Sequence, residues 1–437
     1  MIDWISRDKQ AIWHPFTPLK GMEDPLKIDR AEGVKLYTED KKEILDVISS
    51  WWVNIHGHSN PVLAKAIADQ AGKLEHVIFA GFTHQPAIRL AERLLEILPS
   101  NQSKVFFSDN GSTAVEVGIK MAFQYFYNRG IEKKKIIAID GAYHGDTFGA
   151  MSVGERGPFT EPFDPYLFDV EFLDFPDKEI ENEVWESYVS LVETGDVAAF
   201  IFEPIVQGAS GMKVYSKELL NKMICFGQKR GVVCIADEVM TGFGRLGTLF
   251  AADQLEHKPD IFCLSKGLTG GALAMGVTTC TQEIQSAYES NDLMKTFFHG
   301  HSFTANPMTC AVANASLDLL LEESCTLNRE RLNLRHRAFL DKIAGHKMVR
   351  NARVMGTILA FDLNTDKDTS YFNEARHHLY PYFIEKGLLI RPLGNVIYLI
   401  PPYVITDEEL DYTYNTILTF LDEYHEIAQD TFESSIA

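Results

Sequence analysis

Between Lys104 and Thr281 short apolar runs alternate with stretches of helical period, an order that few folds accommodate. KVFFSD, KKIIAID, VAAFIFEP, VVCIADEV, DIFCLSK and ALAMGVTTCT read as strands. Their near-continuous apolar character is that of strands covered on both faces. Helices are expected over 110–130, 181–194 and 216–230. Strand and helix in alternation give a mostly parallel sheet between helical layers, an α/β fold. A long helix opens at Asn306–Pro307, a capping residue followed by proline in the first turn.

Beyond residue 328 the texture changes. A charged helix (RERLNLRHRAFLDKI) leads to a strand, GTILAFDL, a helix around 371–386, two strands in LLIRPL and NVIYLIPP, and a last helix with a capping box from Thr406 to Glu409. The first 55 residues carry a strand pair in GVKLYTED and KEILDVI and are too short to bury a core alone. The expected division is a large domain over 56–328 and a small α+β domain made from 1–55 and 329–437. No internal repeat and no Gly/Ser or Pro-rich linker interrupts the chain.

A formal charge of −20 argues against nucleic acid and against an anionic membrane as partners, and no apolar run reaches membrane-spanning length. The six cysteines are scattered without a C-x-x-C pair, which fits a reducing compartment rather than a disulfide framework or a zinc site. The sequence MIDWISRDKQ lacks the basic and apolar regions of an export signal, so a cytoplasmic location is expected. His56 and His58 have no third ligand at useful spacing, and no metal site is expected.

GFGRLG at 242–247 matches the G-x-G-x-x-G dinucleotide pattern, but the strand before it ends several residues earlier in two acids and no long helix follows. A different constellation carries the chemistry. Asp237 ends the apolar strand VVCIAD, and Lys266 ends IFCLSK. Strand C-termini of an open α/β sheet are where ligands bind, so the two can face one cleft. Taken singly, each reads more readily as an ion-pair or solvated loop residue. KVFFSD runs into Asn110-Gly111-Ser112-Thr113 at a helix start, where free N–H groups and hydroxyls suit a phosphate monoester or serve as an ordinary N-cap. Together, a lysine, an acid and a phosphate cradle make a site for pyridoxal 5'-phosphate.

Over essentially its whole length the chain resembles the class III (subgroup II) aminotransferases of fold type I, through ADEVMTGFGRLG, LSKGLTGG, GAYHGDTFGAMS, EPIVQGASGM and HGHSFTANPMTCA. Within that family WHPFTPLK, SSWWVNIHGHSNP and IRPLGNVIYLIPPY are similar to the branch that aminates 8-amino-7-oxononanoate in biotin synthesis. The resemblance implies a homodimer with shared active sites and small-molecule substrates. It implies Lys266 as the Schiff-base lysine, Asp237 as partner of the ring nitrogen, Val239 and Tyr143 on the two ring faces, and Gly111 and Ser112, beside Asn110, on the phosphate. Gly300, His301 and Ser302 are implied to reach phosphate or substrate from the partner subunit. Trp51 and Trp52 would line the substrate pocket, on a strand whose alternation lets only one of them face it, and Arg391 would pair with the substrate carboxylate. Arg245 is implied as a second pocket residue or else a structural ion pair.

Two positions depart from the branch. Phe16 stands where tyrosine is usual in the W-H-P-Y-T block, which resembles members that take lysine rather than S-adenosylmethionine as amino donor. Ser302 stands where threonine is common and keeps the hydroxyl. A broad-range ω-amino acid:pyruvate aminotransferase is the alternative expectation.

Overall fold

The computed structural model describes residues 3–365, 369 and 373–434, with side chains described as far as 424. Seven strands form the central sheet: β1 (Gln102–Ser108), β2 (Lys135–Ile139), β3 (Glu171–Leu173), β4 (Val197–Phe202), β5 (Val233–Asp237), β6 (Ile261–Leu264) and β7 (Gly276–Thr281). Their order is β1-β7-β6-β5-β4-β2-β3, and only β7 runs antiparallel to its neighbours. Every residue of β4 and β5 is buried, as their unbroken apolar sequence requires.

Period-two alternation divides these strands between two helical layers. Ile136, Ala138, Ile201 and Ile235 pack with the helix Gly111–Asn128 through Ala114, Val117 and Ala122. Ile137, Ile139, Phe200 and Cys234 face the other way, onto Tyr188, Leu220, Met223 and Ile224 of the helices Glu181–Glu193 and Lys217–Gln228. Each large side chain buried in this way contributes about 1.5–3 kcal/mol.

Both ends of the chain build a second unit. Glu43–Asp46 pairs in parallel with Leu388–Leu389, putting an N-terminal strand beside a C-terminal one. Val34, Leu45 and Val47 share a core with Leu359, Phe361, Leu379, Ile397 and Ile417. Two strands escape the sequence patterns, Ile28–Glu32 and Val349–Met355, because polar and charged residues interrupt both and neither has a fully buried residue. The capping box is present: the Thr406 N–H donates to Glu409 Oε2 at 2.9 Å, and the Glu409 N–H donates to Thr406 Oγ1 at 3.2 Å. The helix expected around 371–386 runs from Arg376 to Glu385, and positions 371–372 lie outside the described residues.

Position 328, where the texture of the sequence changes, lies inside the helix Glu323–Ile343. Cys325 at its start packs on the core of the large sheet, whereas Leu332, Phe339 and Ile343 pack on that of the second unit. One continuous helix therefore spans the two cores, consistent with the absence of a linker in the sequence.

Candidate active site

Four strand C-termini converge. Asp237 is the last residue of β5, Lys266 stands two residues beyond β6, Glu203 follows β4, and Gly111 opens the helix after β1. Asp237 is 4% exposed, and its carboxylate is held on both oxygens. The ring nitrogen Nδ1 of buried His144 lies 2.7 Å from Oδ2, and the Val239 N–H donates to Oδ1 at 3.0 Å. Lys266 has φ +44°, a left-handed conformation that costs a non-glycine residue about 1–3 kcal/mol. Its Nζ lies 4.9 Å from the centre of the Trp52 ring. Burial lowers its pKa; the charges of Asp237 and Glu203 oppose that shift and Arg245 adds to it.

At the helix start Asn110 is occupied with capping. Its Oδ1 accepts from the Thr113 N–H at 2.9 Å, and Thr113 Oγ1 accepts from the Asn110 N–H at 3.1 Å. The N–H groups of Gly111 and Ser112 belong to the first turn, where no intrahelical acceptor precedes them. Ser112 Oγ lies 2.7 Å from Thr147 Oγ1 and accepts from the Thr147 N–H at 3.0 Å, so two hydroxyls border these free donors. A Cβ on Gly111 would come within 2.7 Å of Val239 Cγ1, and one on Gly145 within 2.3 Å of Ser112 Oγ. Only glycine allows these close approaches. Pyridoxal phosphate presents an aldehyde, a basic ring nitrogen and a phosphate, and the residues present fit all three: an amine on Lys266, a carboxylate on Asp237, and the Gly111–Ser112 donors with the Ser112 and Thr147 hydroxyls.

Around this floor lie the remaining expected residues. The Tyr143 N–H donates to Glu203 Oε1 at 3.2 Å, and burial and Asp146 push its phenol pKa up. The two tryptophans are not on a strand. Ser49–Trp52 is a tight helical turn with φ of +54°, +60° and +66° at Ser49, Ser50 and Trp52, so strand alternation does not decide their facing. Trp52 is buried, donates Nε1–H to the Tyr398 hydroxyl at 3.1 Å, and lies toward Lys266. Trp51 is 44% exposed, 5.9 Å edge-on from Phe16 and 5.2 Å from the Arg391 guanidinium.

Arg245 is 1% exposed and donates to the carbonyls of Pro401 at 3.0 Å and Trp52 at 3.2 Å. It thus ties the tryptophan turn to the C-terminal segment through backbone carbonyls, and it makes no ion pair among the described residues. Gly300 and Ser302 are exposed, and His301 Nε2 is 4.0 Å from Asp109 Oδ1 of the same chain. The two histidines considered as metal ligands are spent separately, His56 on Ser316 at 3.0 Å and His58 on Asp46 at 2.8 Å. GFGRLG lies in turns that lead only to the short 3-10 helix Ala251–Gln254.

Sequence reading missed His144, Thr147 and Glu203. Glu203 carried the same signal as Asp237, a carboxylate directly after an apolar strand. It is 5% exposed, accepts from Tyr143 and Gly208 N–H groups, and burial raises its pKa to about 7.

The family model for class III aminotransferases matches residues 19–421. An adenosylmethionine-8-amino-7-oxononanoate aminotransferase from Synechococcus elongatus is 48% identical over 420 residues, covering 94% of this chain and 98% of that protein. A crystal structure of the enzyme of the same name from Methanocaldococcus jannaschii superposes with a TM-score of 0.91 at 35% identity, covering 96% of this chain and 98% of the other. An omega transaminase from Pseudomonas jessenii, in complex with PMP, also reaches 0.91, at 26% identity and with the same shares covered. A lysine, a buried acid and a helix start with free N–H donors at the strand ends, together with a family match across nearly the whole length, assign this chain to the class III aminotransferases, which use pyridoxal phosphate.

Proposed function

We propose that this enzyme moves an amino group onto 8-amino-7-oxononanoate, giving 7,8-diaminononanoate for biotin synthesis, in two half-reactions that share one site. The name of the cyanobacterial relative, so similar over so much of the chain, carries this reading. Arg391 suits it: its guanidinium is exposed and lies against Trp51, free for a bidentate pair with a carboxylate at the end of an aliphatic chain. When bound, pyridoxal phosphate supplies an aldehyde that takes up the donor nitrogen and a ring that accepts electrons. Gly111 and Ser112 N–H groups and the Ser112 and Thr147 hydroxyls would hold its phosphate, with Val239 and Tyr143 on the two faces of the ring. Asp237, itself steadied by His144 and Val239, would keep a proton on the ring nitrogen. Lys266 Nζ, biased by burial toward the neutral amine, would carry the proton between the amine-bearing carbon of the substrate and the aldehyde carbon of the cofactor, in opposite directions in the two half-reactions. Buried Trp52 keeps water from that amine.

Phe16 touches Trp51 and Phe159 at the rim and brings no hydroxyl to the amino donor, so the donor is S-adenosylmethionine or lysine. The enzyme works as a cytoplasmic homodimer in this reading. Ile78, Phe82, Phe298 and Phe303, each more than half exposed, supply apolar surface for a second copy, whose Gly300–Ser302 segment would complete the site. No described helix is long and apolar enough to cross a membrane. The test offers the purified enzyme 8-amino-7-oxononanoate with either donor; diamine from one of them is expected. No diamine from either, with turnover of an ω-amino acid and pyruvate, would favour the second reading, which rests on the likeness to the Pseudomonas transaminase.

A further inference from the structure

Thirteen residues, from Asp46 to His58, form a loop that carries both tryptophans, and its two ends are pinned to the same place. The Asp46 N–H donates to the Val34 carbonyl at 2.7 Å; Gly33 and His58 exchange two backbone hydrogen bonds, at 2.6 and 3.2 Å. The side chains then meet across the neck of the loop. His58 Nε2 lies 2.8 Å from Asp46 Oδ2, and the same oxygen accepts from Ser50 Oγ at 2.8 Å. Asp46 Oδ1 accepts from the Ile48 N–H at 3.2 Å, and Asn54 Nδ2 faces His58 Nδ1 at 3.0 Å. An amide nitrogen can only donate, so in this arrangement His58 carries its proton on Nε2 and gives it to Asp46.

Asp46 is fully buried, yet none of these contacts serves the cofactor cradle. They fasten the three left-handed residues Ser49, Ser50 and Trp52, a conformation that side chains resist unless neighbours impose it. Trp52 has further anchors in Tyr398 and Arg245. Among the described residues the ring contacts of Trp51 are with Phe16 and Arg391, and its backbone position follows that of its neighbour Ser50. We infer that the pair of buried Asp46 and half-buried His58, acting through Ser50, is a positioning device that holds Trp51 against Arg391 and so sets the affinity of the carboxylate end of the substrate site. The inference rests on the reading of Trp51 and Arg391 as substrate wall and anchor given above.

The experiment compares holoenzyme with His58→Ala, His58→Gln and Ser50→Ala. Steady-state kinetics with 8-amino-7-oxononanoate is run beside 19F spectra of protein labelled with 5-fluorotryptophan, the Trp51 resonance being assigned with Trp51→Phe. Expected is a tenfold or greater rise in KM for His58→Ala with kcat within threefold, together with a moved Trp51 resonance. Glutamine, which can place an N–H near the Nε2 position, should restore both, and Ser50→Ala should show the same effects at about threefold. An unmoved Trp51 resonance in His58→Ala, or a glutamine variant as impaired as alanine, overturns the inference. Should Trp51→Ala raise KM while His58→Ala does not, the inference alone fails. Should the resonance move while KM stays constant and Trp51→Ala is also silent, the reading of Trp51 as substrate wall fails and the inference falls with it. Ser50→Ala, an exposed single-bond change, keeps the test decisive where His58→Ala folds poorly.

Discussion

Asp237 and Lys266 stand at the ends of β5 and β6, two parallel strands in register at Asp237 and Cys263. Trp51 and Arg391 follow another parallel pair, Glu43–Asp46 and Leu388–Leu389, in register at Leu45 and Leu388. The same device, side chains just beyond the ends of paired strands, is used twice with different outcomes. Around the first pair the polar groups are buried and bonded to one another: Asp237 to His144, Glu203 to two backbone N–H groups. Around the second the groups are aromatic or cationic and open to solvent, with Trp51 44% exposed. A floor whose buried carboxylates are held by hydrogen bonds is preorganised for one chemistry. A rim of exposed rings and one guanidinium can receive two unlike substrates in turn. Under the proposed function, chemistry belongs to the large sheet and substrate choice to the segment made from both chain ends.

That contrast can be broken first at the floor. Asp237→Asn keeps the shape and removes the charge proposed to face the ring nitrogen; transamination of every substrate should fall by about 10²–10³-fold. Single-turnover rates for both half-reactions measure this, and a loss confined to one substrate would contradict it. Glu203 gives a pH signature. Burial raises its pKa from 4.5 to about 7, so between those values the native state keeps a proton that the unfolded chain has released. Its contribution to stability is therefore complete below about pH 4.5 and lost as pH rises through 7. Relative to wild type, Glu203→Gln should gain stability between pH 5 and 8, by up to roughly 3 kcal/mol for a shift of this size. Thermal midpoints of the two proteins across that range report it, and a constant gap would contradict it.

At the rim the effects should be smaller and selective. Arg391→Ala should raise KM for 8-amino-7-oxononanoate about 10- to 100-fold, the worth of a charged hydrogen bond at ~1.5–3 kcal/mol. Cofactor loading, read from the visible absorbance, should be unaffected. Phe16→Tyr should change only the ratio of kcat/KM values for the two amino donors, by a few-fold, since one neutral hydrogen bond is worth ~1 kcal/mol. Equal losses for both donors would place Phe16 in the floor's class and dissolve the distinction.

How much of this was legible in the sequence follows the same line. Asp237, Lys266 and the Gly111 turn could be picked out because an apolar strand ending in a polar residue is a local pattern, and the sheet brings those strand ends to one side. Glu203 carries the same pattern, directly after the apolar run VAAFIF. The conformation of Trp51 and Trp52 was misread, because three non-glycine residues in left-handed geometry have no local signature; Asp46, His58 and the Ile400 carbonyl that accepts from Ser49 Oγ at 2.7 Å impose it from elsewhere. Arg245 likewise owes its place to carbonyls at positions 52 and 401, contacts that spacing along the chain does not encode. Polar strands such as Ile28–Glu32 exist through pairing rather than burial, and so leave no hydrophobic pattern.

Reduction of the holoenzyme with borohydride, followed by peptide mapping, tests the assignment of the floor most directly. A phosphopyridoxyl group on Lys266 and on no other lysine is the result this geometry requires. A label on a different lysine, or a yellow holoenzyme that yields none, would contradict it.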